Sequence, residues 1–192
     1  MAVALARNAI TRLVESGENA KPSGLPPVFS EKRGVFVTLK GHPSGELRGC
    51  IGFPRPFTSL GEGIVEAAVF AASEDPRFEP VSRDELDCIA IDVSVLTQPE
   101  PVECESPEER VKRVKVGRDG LIVQLGQYSG LLLPQVPVEE KWSEEEFLCH
   151  TCRKAKLPAD AWRAPGVKLF CFQAQVFGEE TPGGNVREEK LC

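Results

Sequence analysis

The segment CIAIDVSVL, residues 88–96, alternates Ile89, Ile91, Val93 and Val95 with other side chains. A period of two places those four on one face of an extended chain, where a helix would scatter them. This is a strand with one apolar face. GVFVTLK (34–40) repeats the pattern with Val35, Val37 and Leu39, and ELRGCIG (46–52) returns as a second strand after the turn GHPSG.

Other segments carry the helical period. Val3, Ala6, Ile10, Leu13 and Val14 mark an amphipathic helix over 2–16, with Gly17 as its stop. KPSGLPPVFS (21–30) is an extended connector, because each proline biases its predecessor away from helix. Thr58–Ala72 reads as a helix weakened by two glycines, and SEDPRFEPV as an irregular loop. QPEPVECESPEER (98–110) breaks the pattern and is the candidate boundary between two lobes of a single domain spanning 1–192. Beyond it the patterns predict a short helix, strands at 121–125 and 130–133, a helix at 144–156 and one long strand over 167–177. The tail 179–192 is expected to be partly mobile. Ser82/Glu85, Ser106/Glu109 and Ser143/Glu146 have the capping-box spacing, which assigns those residues to helix starts rather than to chemistry.

With 192 residues, 41% of them hydrophobic, the chain can bury a core without metals or disulfides. Its net charge of −6 argues against a nucleic-acid partner. The basic residues Lys112, Arg113, Lys115 and Arg118 read as a solvated surface. No apolar run reaches the ~20 residues a membrane span needs, and MAVALARNAI carries Arg7 inside its apolar stretch, unlike a secretory signal. A cytoplasmic location is the expectation. Seven cysteines are many for that compartment, and hyperthermophiles are the exception that uses disulfides inside the cell. For such a source, at least one bridge is expected among Cys88, Cys104, Cys149, Cys152, Cys171 and Cys192, with Cys50 left free.

Folding 34–40 against 46–52 symmetrically pairs Val35 with Ile51, Val37 with Gly49 and Leu39 with Leu47 on an apolar side. The other side pairs Phe36 with Cys50 and Thr38 with Arg48. Arg48 and Cys50 then point the same way, about 7 Å apart. A guanidinium beside a thiol favours the reactive thiolate, and Gly49 and Gly52 admit a close-approaching ligand or backbone. The alternative is a buried cysteine beside packing glycines, with Arg48 anchored to a carboxylate. Asp75, ahead of a proline, starts a turn or meets Arg48 or Arg77 as an ion pair.

GVFVTLK…GELRGCIG, AASEDPRFEPVSRDEL, GLLLPQV and EKWSEEEFLCHTCRKAKLPADAW, in that order, resemble the hallmarks of the AMMECR-one domain family. The resemblance runs through about 150 residues and includes LRGCIG in full. It implies an α/β (α+β) fold with a mainly antiparallel sheet flanked by helices in two unequal lobes. It also implies Memo-like and radical-SAM-like proteins as genomic neighbours, and it supplies no established reaction. The matching motif positions are Leu47–Gly52, Asp75–Phe78, Pro134 and Gln135. Where the family pattern has KAGL this chain has KAKL, so Lys156 stands in the place of a helix-ending glycine, and a different cap is expected there.

Cys149, His150 and Cys152 form one pair of potential ligands where closed zinc sites use two, and they fall mid-helix, where a redox CxxC does not belong. No phosphate-binding glycine loop or GxSxG is present. No cofactor and no metal are expected. Two readings remain. One is a ligand-binding or catalytic groove with Cys50 as nucleophile, Arg48 binding an anion or tuning the thiol, and Gly49, Gly52, Asp75, Arg77, Pro134 and Gln135 completing it. The other is a non-catalytic adaptor that binds a Memo-like or radical-SAM-like partner. The residues leave open whether the protein is an enzyme.

Overall fold

Val3, Leu5, Ala6, Ala9 and Ile10 form the buried stripe of helix α1 (Ala2–Ser16) in a computed structural model of the protein, which describes residues 1–104 and 106–189. Gly17 ends the helix at φ 70°, its N–H reaching the Leu13 carbonyl at 2.9 Å. Arg7, the charge inside that helix, donates to the carbonyls of Leu86 (2.9 Å) and Ile89 (2.7 Å) and pairs with the buried Glu179.

The chain forms two compact units, residues 1–96 with 175–189, and residues 97–174. The first is built on a five-stranded sheet: β1 (Val35–Gly41), β2 (Leu47–Phe53), β3 (Ile89–Leu96), β8 (Ala174–Glu179) and β9 (Val186–Glu189), in the order β2-β1-β3-β8-β9. Helices α1 and α2 (Leu60–Ser73) cover one face, where Val35, Val37, Leu39, Ile91 and Val93 are buried. The alternation in the sequence is therefore the difference between the two faces of this sheet. Ser59 caps α2 in a capping box with Glu62, which offsets its early glycines.

The second unit has a four-stranded sheet in the order β4-β7-β5-β6, from β4 (Glu100–Pro101), β5 (Gly120–Leu125), β6 (Tyr128–Leu132) and β7 (Lys168–Phe172). Helices α3 (Pro107–Arg113), α4 (Gln135–Glu139) and α5 (Glu144–Lys154) belong to it. Its core gathers Leu121, Val123, Phe147, Leu148, Cys152, Trp162 and Leu169. The fold is α+β with antiparallel sheets.

Several expectations are corrected. The strand expected over 167–177 is two strands in different sheets, because the N–H and carbonyl of Gln173 are taken by Thr97. Residues 179–189, expected as tail, include β9, which pairs antiparallel with β8. No disulfide links the described cysteines: Cys50, Cys88, Cys104, Cys149, Cys152 and Cys171 are free thiols, and Cys192 lies outside the described residues. Lys156 does not change the cap. It adopts φ 59°, and the Leu157 N–H still reaches the Cys152 carbonyl at 3.0 Å, as in a glycine-ended helix.

Candidate functional site

Strand β2 is the edge of its sheet, with β1 on one side. Thr38 lies opposite Cys50, in a register two residues from the symmetric one: Val35 faces Phe53 and Val37 faces Ile51. The difference arises at the turn, where Gly41 N–H bonds the Glu46 carbonyl (2.8 Å), Gly45 turns at φ 75° and the pairing shifts after Leu39. A shift of two keeps Thr38 and Cys50 on the side away from α2, while the irregularity after Leu39 leaves Arg48 out of the register.

The free edge of β2 is occupied by side chains. The Cys50 N–H donates to Asp75 Oδ2 at 2.9 Å, and the Cys50 carbonyl accepts from Arg77 Nη2 at 3.3 Å. Asp75 also accepts from the Arg77 backbone N–H (3.1 Å), Nε (2.9 Å) and Nη2 (2.7 Å). Together these two residues imitate a neighbouring strand. Asp75 is 4% exposed, and the Arg77 hydrogen bonds hold its carboxyl well below the usual carboxylate range against the opposing effect of burial.

Arg48 is committed nearby. Its Nε and Nη2 form a two-pronged pair with Glu85 (2.6 and 3.1 Å), and Nη2 also reaches the Glu79 carbonyl at 2.9 Å. Glu85 in turn accepts from the Ser82 N–H at 2.9 Å, and its pKa is pushed down to about 2, chiefly by Arg48. The Phe78 ring lies beside both guanidiniums, 5.8 Å from Arg48 Cζ and 5.5 Å from Arg77 Cζ. Arg48 Nη1 is buried without a partner among the described residues.

The motif glycines answer to packing. A Cβ on Gly49 would strike the Ala71 carbonyl oxygen of α2, and one on Gly52 would strike the Phe36 ring. Cys50 differs from its neighbours. Its side chain is half-buried and receives a hydrogen bond from Thr38 Oγ1 at 3.3 Å.

Thr38 faces Asp92 on its other side, so Cys50, Thr38 and Asp92 form a row across three strands, about 10 Å long. Asp92 is buried and pairs with Lys40 Nζ at 2.6 Å. A Cβ on Gly178 would collide with Asp92 Oδ1, so that glycine makes room for the carboxylate. Sequence reasoning put Thr38 on this face but opposite Arg48 instead of Cys50, and it passed over Asp92 and Gly178. The signal was an aspartate in the polar phase of the clearest strand, a position strands disfavour.

Pro134 and Gln135 belong to the second unit, where Pro134 is the buried residue before α4 and Gln135 opens that helix. Gln135 Oε1 is buried with no hydrogen-bond partner among the described residues. In α5, Cys152 is fully buried, and burial pushes its thiol up to about 11. Cys149 Sγ accepts from Trp162 Nε1 at 3.4 Å, and Trp142 stacks on His150 at 3.8 Å. These are packing roles. Among the described residues, no three His, Cys, Asp or Glu side chains are grouped to hold a metal, and no helix is long and apolar enough to cross a membrane.

The AMMECR1 family model matches residues 3–177, which takes in both β2 and the loop that clamps it. The chain belongs to the AMMECR1 family. It is 54% identical to Protein MK0488 of Methanopyrus kandleri over 192 residues, covering 99% of this chain and 92% of that protein. It is 55% identical to a Thermococcus gammatolerans protein, with 98% and 94% covered. The crystal structure of the uncharacterized protein PH0010 from Pyrococcus horikoshii superimposes with a TM-score of 0.93 at 50% identity, over 98% of this chain and 95% of that one. These AMMECR1 relatives are proteins of thermophilic archaea.

Proposed function

We propose that the sheet face carrying Cys50 is a ligand-binding or catalytic site, with the Cys50 thiol as its reacting group and Thr38, Lys40 and Asp92 as polar neighbours. The observation that carries this reading is the contrast within LRGCIG. Gly49, Gly52 and Arg48 are spent on packing and on Glu85, while the Cys50 backbone is clamped on both sides and its thiol is left half-buried. Holding one residue's N–H and carbonyl by two further side chains orients its Sγ closely, as a thiol site requires. In this reading Asp75, Arg77 and Arg48 are positioning residues. Thr38 Oγ1 holds Sγ, and Lys40, held by the buried Asp92, offers a ligand a positive group.

The test is native-state alkylation with a small probe, mapped by mass spectrometry. Cys50 is expected to label in the folded protein, and to be protected by a bound ligand. Cys152, fully buried, should label only on unfolding. Cys50→Ser should keep the fold and remove the labelled peptide. Protection of Cys50 until the protein melts would overturn the proposal and leave the motif a structural device.

A further inference from the structure

A cavity of about 320 Å³ lies in the first unit, away from Cys50, at the start of α1. Its floor is Phe29, Leu60 and Phe177, with Val95 of β3 beside them. Leu60 is the first residue of α2, and Phe29 belongs to a short turn over Pro27–Ser30. Ala2 and Leu60, the first residues of α1 and α2, both line it.

Two observations point to an occupant. Met1 (65% exposed), Val28 (41%) and Val186 (44%) are large apolar side chains left in water, and all three line this cavity. Scattered exposed apolar residues need no explanation, but convergence around a depression marks a binding surface. Among the lining side chains, Arg33 is the one that carries a charge. Its Nε is held by Glu31 at 2.9 Å, and its Nη groups donate to no described residue. An apolar hollow with few polar groups is the usual form of a small-molecule site.

We infer that this cavity binds a small amphipathic anion: an apolar tail on Phe29, Leu60 and Phe177, and a carboxylate at Arg33. At roughly 30 Å³ per water-sized group, 320 Å³ holds a ligand of about ten non-hydrogen atoms. Octanoate has that size, and octanol is its neutral counterpart. The site is independent of the thiol proposal, because no cavity residue takes part in the Cys50 network.

The test titrates the full chain with octanoate and with octanol, following backbone amide shifts by NMR. Octanoate should perturb Val28, Phe177 and Val186, and should bind more tightly than octanol. Arg33→Gln should weaken octanoate by about fivefold, the upper range for an exposed ion pair, and leave octanol unchanged. Glu31→Gln, which removes the competing carboxylate, should tighten octanoate. Val186→Glu, at an exposed position, should abolish binding of both. Absence of saturable shifts with octanoate, equal affinity for the two probes, or an Arg33→Gln variant that binds octanoate as well as the parent would each overturn the inference.

Discussion

The two units use the same carboxylate–guanidinium pair over different distances along the chain. In the first, Asp75 pairs with Arg77 and accepts from the Cys50 N–H, 25 residues away. In the second, Asp119 pairs with Arg118 and accepts from the Lys115 N–H, four residues away. Both carboxylates are buried, at 2% and 3% side-chain exposure, while their arginines are half exposed at 52% and 54%. One pair closes a local turn and the other replaces the missing neighbour of an edge strand. The same chemistry thus closes a turn in one unit and completes the edge of a sheet in the other.

The largest effects should come where a strand meets a helix in each unit. A Cβ on Gly49 would meet the Ala71 carbonyl of α2, and one on Gly130 would meet the Ala155 backbone N at the end of α5. Neither neighbour is a side chain that can rotate away. Gly49→Ala and Gly130→Ala are each expected to cost about 3 kcal/mol, measured by urea unfolding. A loss under about 1 kcal/mol for Gly49→Ala would mean that β2 shifts freely and its clamp is loose.

Asp75→Ala comes next, at about 2–3 kcal/mol, since it leaves the Cys50 N–H and the Arg77 guanidinium without their acceptor. Asp119→Ala should cost about 1–2 kcal/mol, because its bonds stay within one turn. Hydrogen exchange separates them. Asp75→Ala should speed exchange along β2, and Asp119→Ala only around Lys115. Equal, unit-wide effects would erase the contrast.

Acid should act on the first unit through Glu85. Its pKa falls from the ordinary 4.5 to about 2 in the folded protein, chiefly through Arg48. The unfolded state therefore takes up its proton first as pH drops. The stability that Glu85 contributes is complete above 4.5 and is lost as pH falls through about 2. Glu85→Gln should flatten the stability profile in that window, as read by thermal melts from pH 6 to 2. An unchanged profile would show that the Arg48 pair carries no stability.

The smallest effects contrast two helix ends. Gly17 (φ 70°) and Lys156 (φ 59°) occupy the left-handed position after α1 and α5. A side chain there costs roughly 1 kcal/mol, so Lys156→Gly should stabilise and Gly17→Lys should destabilise by about that much. Differential melts of the two variants would check the symmetry.

Strands, helices and caps depend on neighbours in sequence, and these were legible. The apolar alternation of Val35–Leu39 and Ile89–Val95, the stripe of α1, and the caps at Ser82 and Ser143 follow from backbone geometry within a few residues. The hairpin's faces were legible from Val35 to Leu39, although its register was not, since a shift of two leaves those side chains on their own side. The split of 167–177 falls at Gln173, where the apolar phase changes from Val167, Leu169 and Cys171 to Ala174 and Val176, a signal that reading the run as one strand passed over.

The site divides along the same line. By itself the sequence determined that Cys50 lies on a strand beside two close-packed glycines, and that Asp75 and Arg77 are close in the chain. Only the tertiary structure decided that Arg48 turns to Glu85, 37 residues away, and that Asp75 and Arg77 grip the Cys50 backbone. It also brought Asp92 opposite Thr38, 54 residues apart, beside the room left by Gly178. The physical reason is that a hydrogen bond or ion pair constrains positions in space. Periodicity reports only the local backbone, so a side chain's partner across 25 or more residues appears when the strands and loops have packed.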